Sequence, residues 1–106
     1  QKEQEGELIF KQLQNTDQLI LLDENGKDFS SRKFAQFLQQ KMNSGIKRLV
    51  FVIGGPYGFS EALYSKASSK ISLSKMTFSH QMVRPFFAEQ LYRAFSILNN
   101  EPYHHD

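Results

Sequence analysis

The chain has 106 residues, 40% of them apolar and 10 of them Phe, with no Cys and a formal net charge of +2. That length predicts one domain with a small but real core. The composition excludes a disulfide framework and a thiolate metal site. It also excludes a membrane span, since no apolar run approaches the roughly 18 residues needed, and the charge is too low for nucleic-acid affinity by phosphate neutralisation alone. No signal peptide is visible and the cytoplasm is the default compartment.

Lys2–Leu13 predicts a helix, with Leu8, Ile9 and Leu13 as its apolar residues and Gly6 as a weak point. Gln1 is not Met, and Gln1–Gln14 reads as the middle of a charged helix with no strand before it. The chain is therefore expected to be the later part of a larger domain. Gln18–Leu22 is a short apolar run and predicts a strand. Asp23-Glu24-Asn25-Gly26 predicts a tight turn, because Asn-Gly tolerates the positive φ values such turns need.

Ser30 or Ser31 can cap the next helix, whose apolar residues Phe34, Phe37, Leu38 and Met42 recur at helical spacing and which Gly45 ends. Leu49–Ile53 is five consecutive apolar residues, as in a central strand covered on both faces. It breaks at Gly54-Gly55-Pro56. Ser60 caps a short helix, Glu61–Ala67, and Ile71–Leu73 is a further short strand. Val83, Phe86, Phe87, Leu91, Ala94, Phe95 and Leu98 form a wide helical stripe that Asn99-Asn100 ends, followed by the tail Pro102–Asp106. Pro85 sits inside the first part of that stripe. Proline removes a hydrogen bond and costs about 3 kcal/mol in a helix interior, so the regular helix is expected to start near Pro85 or to kink there.

Strands alternating with helices predict an α/β fold with a parallel, doubly wound sheet. Ligands of such sheets bind beyond the carboxyl ends of the strands. Here those ends are Leu22-Asp23, Ile53-Gly54-Gly55 and Leu73-Ser74. The glycine pair would let a ligand approach the main chain, although a plain strand-to-helix turn explains it equally well. It matches neither dinucleotide nor triphosphate motifs. Ser74–Ser79 could wrap an adenine-like group through peptide groups, or be an ordinary polar connection. His80 is a candidate proton acceptor or RNA contact. Arg84 and Arg93 are candidate phosphate ligands, but Glu89 and Arg93 stand at i, i+4 and read more simply as a solvated pair. Tyr103-His104-His105 could fold back over a site or a partner subunit. A metal there would need ligands from elsewhere, and none is expected.

Four stretches carry a resemblance: FVIGGPYG at Phe51–Gly58, SLSKMTFSHQMVR at Ser72–Arg84, EQLYRAFSI at Glu89–Ile97 and EPYHHD at Glu101–Asp106. In this order and spacing they resemble the RlmH family, the ribosomal RNA large subunit methyltransferases H of the SPOUT class. KEQEGELI at Lys2–Ile9 and LLDENGK at Leu22–Lys27 also fit, so the likeness runs over essentially the whole chain.

The resemblance implies a single SPOUT methyltransferase domain over residues 1–106, lacking the family's first strand and helix, with a trefoil knot in its carboxyl-terminal half. It implies transfer of a methyl group from S-adenosylmethionine to N3 of a pseudouridine in 23S ribosomal RNA, by a homodimer with its site beside the subunit interface. Carried onto this sequence, Leu22, Gly54, Gly55, Leu73, Ser74, Lys75, Met76, Thr77 and Phe78 would surround the cofactor. Arg84, Tyr103 and His104 would lie towards the RNA, and His80, Arg84 and His104 would be the catalytic candidates. Ser79 stands where the family commonly has Pro. Two alternatives of other kinds are a non-catalytic nucleotide-binding or ribosome-associated module of the same fold, and a structural dimerisation domain using the Phe-rich last helix.

Overall fold

One apolar strand organises everything around it. The computed structural model describes residues 2–54, 58–73 and 80–100. In it β1 (Asp17–Asp28) lies between β2 (Arg48–Ile53) and β3 (Ser69–Ser72), and both pairings are parallel. Successive side chains of a strand point to opposite faces. Ile20 and Leu22 therefore enter one core with Phe34, Ala35, Leu38, Ile71, Phe87 and Ala94. Leu19 and Leu21 enter a second core with Phe59 and Leu63.

The helices divide accordingly. α2 (Ser31–Asn43) and α4 (His80–Leu98) supply the first core. α3 (Glu61–Lys66) supplies the second, together with Ile9 and Phe10 of α1 (Lys2–Gln12) and with Leu13. This is the doubly wound arrangement expected from the alternation of elements. The expected central strand was β2, yet among the described strands it lies at the edge and β1 is central. Its unbroken apolarity is still used on both faces: Val50 and Val52 pack into one core, Leu49, Phe51 and Ile53 against the other. Phe51 meets the Phe87 ring at 4.9 Å and the Phe34 ring edge-on at 6.3 Å.

Local signals place the helix ends. Ser30, not Ser31, caps α2, its hydroxyl accepting from the Lys33 N–H at 3.1 Å. Ser31 instead donates to Gln90 Oε1 at 3.3 Å, tying α2 to α4. Gly45 follows the C-cap of α2 with φ +81°, as a C′ glycine should. Ser60 caps α3, accepting from the Leu63 N–H. Of the apolar residues that defined the predicted helices, Leu8, Met42, Phe86 and Phe95 are exposed.

Two expectations are corrected. The Asp23–Gly26 segment makes no tight turn. β1 runs on to Asp28, with an irregularity in which Leu22 and Lys27 both stand opposite Ile71. Gly26 is buried there, and a Cβ on it would lie 2.6–2.8 Å from the backbone of Lys70 and Ile71. The glycine serves a close approach of two strands rather than a reversal of the chain. Nor does the last helix begin near Pro85. α4 is helical from His80, with Pro85 inside it. The amide that proline lacks would have bonded the carbonyl of Gln81, an exposed residue where solvent can take its place. Burial of Phe87 and Ala94 holds the helix against the sheet.

The amino edge of the sheet is fastened by Asp17. Its side chain is fully shielded and accepts from Arg48 Nε at 3.0 Å, from Arg48 Nη2 at 2.5 Å and from the Gln14 N–H at 2.8 Å. Arg48 also donates to the Gln12 carbonyl at 3.0 Å. One carboxylate thus joins the end of α1 to the starts of two strands. The Arg48 hydrogen bonds foremost, and then the Gln14 N–H, hold the Asp17 carboxyl below the usual carboxylate range. A carboxyl so depressed contributes stability that is fully present above its unfolded value, about 3.9, and lost as the pH falls through the folded one. Asp17→Asn should therefore be less stable than the parent at neutral pH, with the gap closing as the pH falls below about 4. Thermal melts across that range measure it; parallel curves would refute it.

Candidate functional site at the strand ends

The chain leaves β1, forms β2 on one side of it, and returns past β1 to form β3 on the other. The order β2-β1-β3 with helices on both faces creates a switch point between β1 and β3, where open parallel sheets bind ligands beyond their carboxyl ends. The register brings the expected ends together. Ile53, Leu22 and Ile71 stand side by side across the three strands. With strands about 4.8 Å apart, the two outer members of that row are about 10 Å apart across Leu22. Gly54 follows Ile53 directly, and Leu73 lies two residues past Ile71. Leu22 is buried, while Gly54 and Leu73 are half-buried, and Leu73 packs against the first core.

Three of the expected cofactor residues, Leu22, Gly54 and Leu73, thus share one edge of the sheet. Gly55, Ser74, Lys75, Met76, Thr77 and Phe78 lie outside the described residues, as do Tyr103 and His104. His80 opens α4 immediately after the second of these segments, and Arg84 follows one turn later with an exposed side chain. Arg93 pairs with Glu89 at 3.5 Å, the solvated pair its spacing suggested.

Gly54 has a packing reason that the sequence did not reveal. A Cβ there would lie 2.7 Å from Cζ of Phe59 and 2.9 Å from Cε2. Phe59 is buried in the second core, so its ring closes over the strand end from below. The Phe59 ring therefore occupies the space that a side chain at position 54 would need. Phe59 in turn meets Tyr64 edge-on at 5.6 Å, and the Tyr64 hydroxyl donates to Asp23 Oδ2 at 2.8 Å. Composition and spacing gave no sign of Tyr64, since its partner is 41 residues away.

An open depression of ≈ 360 Å³ is lined by Tyr64, Ala67, Ser68, Ser69 and Lys70. Ser69 and Lys70 pair with Ile20 and Leu21, so it flanks the amino end of β3 and is distinct from the strand-end edge. Among the described residues no group of His, Asp and Glu could hold a metal ion, and no helix is long and apolar enough to cross a membrane.

The parallel sheet with helices on both faces and a switch point beside Leu22 defines an open α/β protein of the kind that binds ligands beyond its strand ends. The family described as "Predicted SPOUT methyltransferase" matches residues 1–104. The chain is 74% identical over 105 residues to a ribosomal RNA large subunit methyltransferase H of Flavobacterium johnsoniae, and 70% identical over 105 residues to that of Christiangramia forsetii. In both cases 99% of this chain and 67% of the relative are covered. The like-named protein of Parabacteroides distasonis is 68% identical over 106 residues, covering 100% of this chain and 68% of the relative. The chain belongs to the SPOUT methyltransferase family, and it spans about two thirds of the length of these relatives.

Gly54→Ala should destabilise the fold by about 1–3 kcal/mol, the usual cost of forcing a methyl group into a filled space. Phe59→Leu in the same chain should reduce that increment, because the two positions are in contact. Urea unfolding of the four species of the cycle tests this; additive losses would contradict the geometry.

Proposed function

We propose that the protein methylates N3 of a pseudouridine in 23S ribosomal RNA, with S-adenosylmethionine as the methyl donor. The observation that carries this reading is the identity of 74% to a ribosomal RNA large subunit methyltransferase H over nearly the whole chain, with the strand ends Leu22, Gly54 and Leu73 gathered at one switch point. On this reading residues 1–106 are one SPOUT domain, threaded as a trefoil knot in the carboxyl-terminal half. The protein works in the cytoplasm.

The strand-end residues suit the cofactor. Leu22 and Leu73 offer aliphatic walls to an adenine ring, and Gly54, having no side chain, lets a ligand come close to the main chain. The run Ser74–Phe78 and Gly55 would complete the enclosure. Bound there, S-adenosylmethionine would supply a methyl group already activated on its sulfonium, with the neutral thioether S-adenosylhomocysteine as the leaving group. The remaining task falls to this chain: an imide nitrogen carries a proton at neutral pH, and it must be aligned with the methyl group as the proton departs. His80 or His104 takes that proton, directly or through water. Arg84 stabilises the developing imide anion or grips a phosphate, and Tyr103 and His104 face the RNA.

A homodimer fits the exposed surface of α4. Met82, Phe86, Tyr92 and Phe95 are 61%, 38%, 55% and 43% exposed, so large apolar side chains ring a helix whose other face is already buried. Two subunits sharing one site double the positive surface of a mildly basic chain. A folded RNA is recognised by shape and by unstacked bases, which lowers the demand for a dense cationic groove.

S-adenosylmethionine should raise the melting temperature of the full-length protein, and the protein should methylate ribosomes from a strain lacking the activity. Stabilisation without methylation would leave only a nucleotide-binding module, and absence of both would leave a structural dimer. His80→Ala or His104→Ala should slow single-turnover methylation by about 10²-fold, the usual contribution of a general base. Unchanged rates in both would remove the proton-transfer assignment.

A further inference from the structure

We propose that Tyr64 is a positioning residue for the cofactor edge, clasping β1 just after Leu22 to Gly58 and Phe59. The inference rests on the proposed cofactor site, but the clasp itself is independent of it.

Three contacts of Tyr64 converge. Its hydroxyl donates to Asp23 Oδ2 at 2.8 Å, and Asp23 is the residue directly after Leu22. The same hydroxyl oxygen lies 3.3 Å from where a Cβ of Gly58 would stand. Its ring packs edge-on against Phe59, 5.6 Å between centroids, and Phe59 is the ring that closes over Gly54. A continuous line therefore runs from Gly54 through Phe59 and Tyr64 to Asp23. It joins the end of β2 to the irregular part of β1 just after Leu22.

The clasp matters because β1 is irregular at this point. Residues 23–26 are an excursion, since Leu22 and Lys27 both stand opposite Ile71. An excursion has no sheet ladder to hold it. Its described tethers include the Asn25 N–H to Asp23 Oδ1 bond at 3.0 Å and the Tyr64 bond, so both oxygens of Asp23 are engaged. The Lys70 ammonium sits 5.4 Å from the centroid of the Tyr64 ring, on β3, and adds a cation–π contact from the third strand. Burial foremost, and then the Asp23 carboxylate, push the Tyr64 phenol above its ordinary value, so it remains a donor at any physiological pH. Freeing the excursion would let the main chain beside Leu22 fluctuate, and a ligand held by main-chain groups would lose affinity by that route.

The test uses the full-length protein and two readouts. In Tyr64→Phe, which keeps the ring and loses the hydroxyl, amide hydrogen exchange without any ligand should speed up at Asn25 and Gly26 by about tenfold, the scale of one lost charged hydrogen bond. Titration with S-adenosylhomocysteine should show roughly five- to tenfold weaker binding for Tyr64→Phe and for Asp23→Ala, and no further loss in the double variant. Unchanged exchange would overturn the clasp. Faster exchange with unchanged affinity, or additive losses in the double variant, would overturn its role in positioning. A parent protein that binds no S-adenosylhomocysteine, yet shows the exchange effect, would instead overturn the proposed cofactor site and with it the positioning role.

Discussion

Every described element of this fold is arranged around the alternation of side chains along β1. Four consecutive aliphatic residues, Leu19 to Leu22, are buried, two into each core. A strand apolar on both faces is stable only when both faces are covered, which requires helices above and below the sheet. That single demand places α2 and α4 on one side and α1 and α3 on the other. It also forces the chain to cross from β2 over β1 to reach β3. The crossing creates the switch point, so the location of the candidate site follows from burying β1.

The site is then shaped by what lies beneath it. Phe59 anchors in the second core and presses on Gly54, while Leu22 and Ile71 belong to the first. Rigid packing under the strand ends holds peptide groups in place without needing many polar side chains there, which suits a ligand recognised largely by main chain. At the opposite, amino end of the sheet, Asp17 and Arg48 do the corresponding work with charge. The carboxylate is wholly shielded and answered by three donors, so desolvation is offset locally.

α4 joins the fold to its surroundings. Phe87 and Ala94 bind it to the sheet, whereas Met82, Phe86, Tyr92 and Phe95 remain exposed. Pro85 sits early enough in the helix that its missing donor costs one bond at a solvated turn. The helix therefore starts at His80 and carries Arg84 one turn along, next to the segment that follows β3.

The element order, the caps at Ser30 and Ser60, the C′ role of Gly45 and the sheet's parallel sense were legible in the residues, because each depends on local propensity or hydrophobic period. So were the ends of β2 and β3 beside Gly54 and Leu73, since a strand that stops at small or polar residues marks its own end, whereas β1 does not stop at Leu22 but runs on to Asp28. Which of the described strands is central was not legible: Leu49–Ile53 is apolar throughout and Gln18–Leu22 in all but Gln18, and only the pairing distinguishes them. The Asp23–Gly26 excursion was misread as a turn because Asn-Gly has the same local preference in both, and the close approach of the Lys70 and Ile71 backbone is a long-range fact. Of the two expectations at Pro85, a helix start or a kink, the start is overturned, because burial of Phe87 and Ala94 outweighs the local cost. Sequence alone determined the kinds and order of the elements and the ends marked by the cap at Ser60 and the C′ glycine Gly45, which are set by short-range sterics and period. Tertiary structure alone decided the strand order, the Phe59 ring over Gly54 and the Tyr64–Asp23 bond, because each depends on contact between segments far apart in the chain.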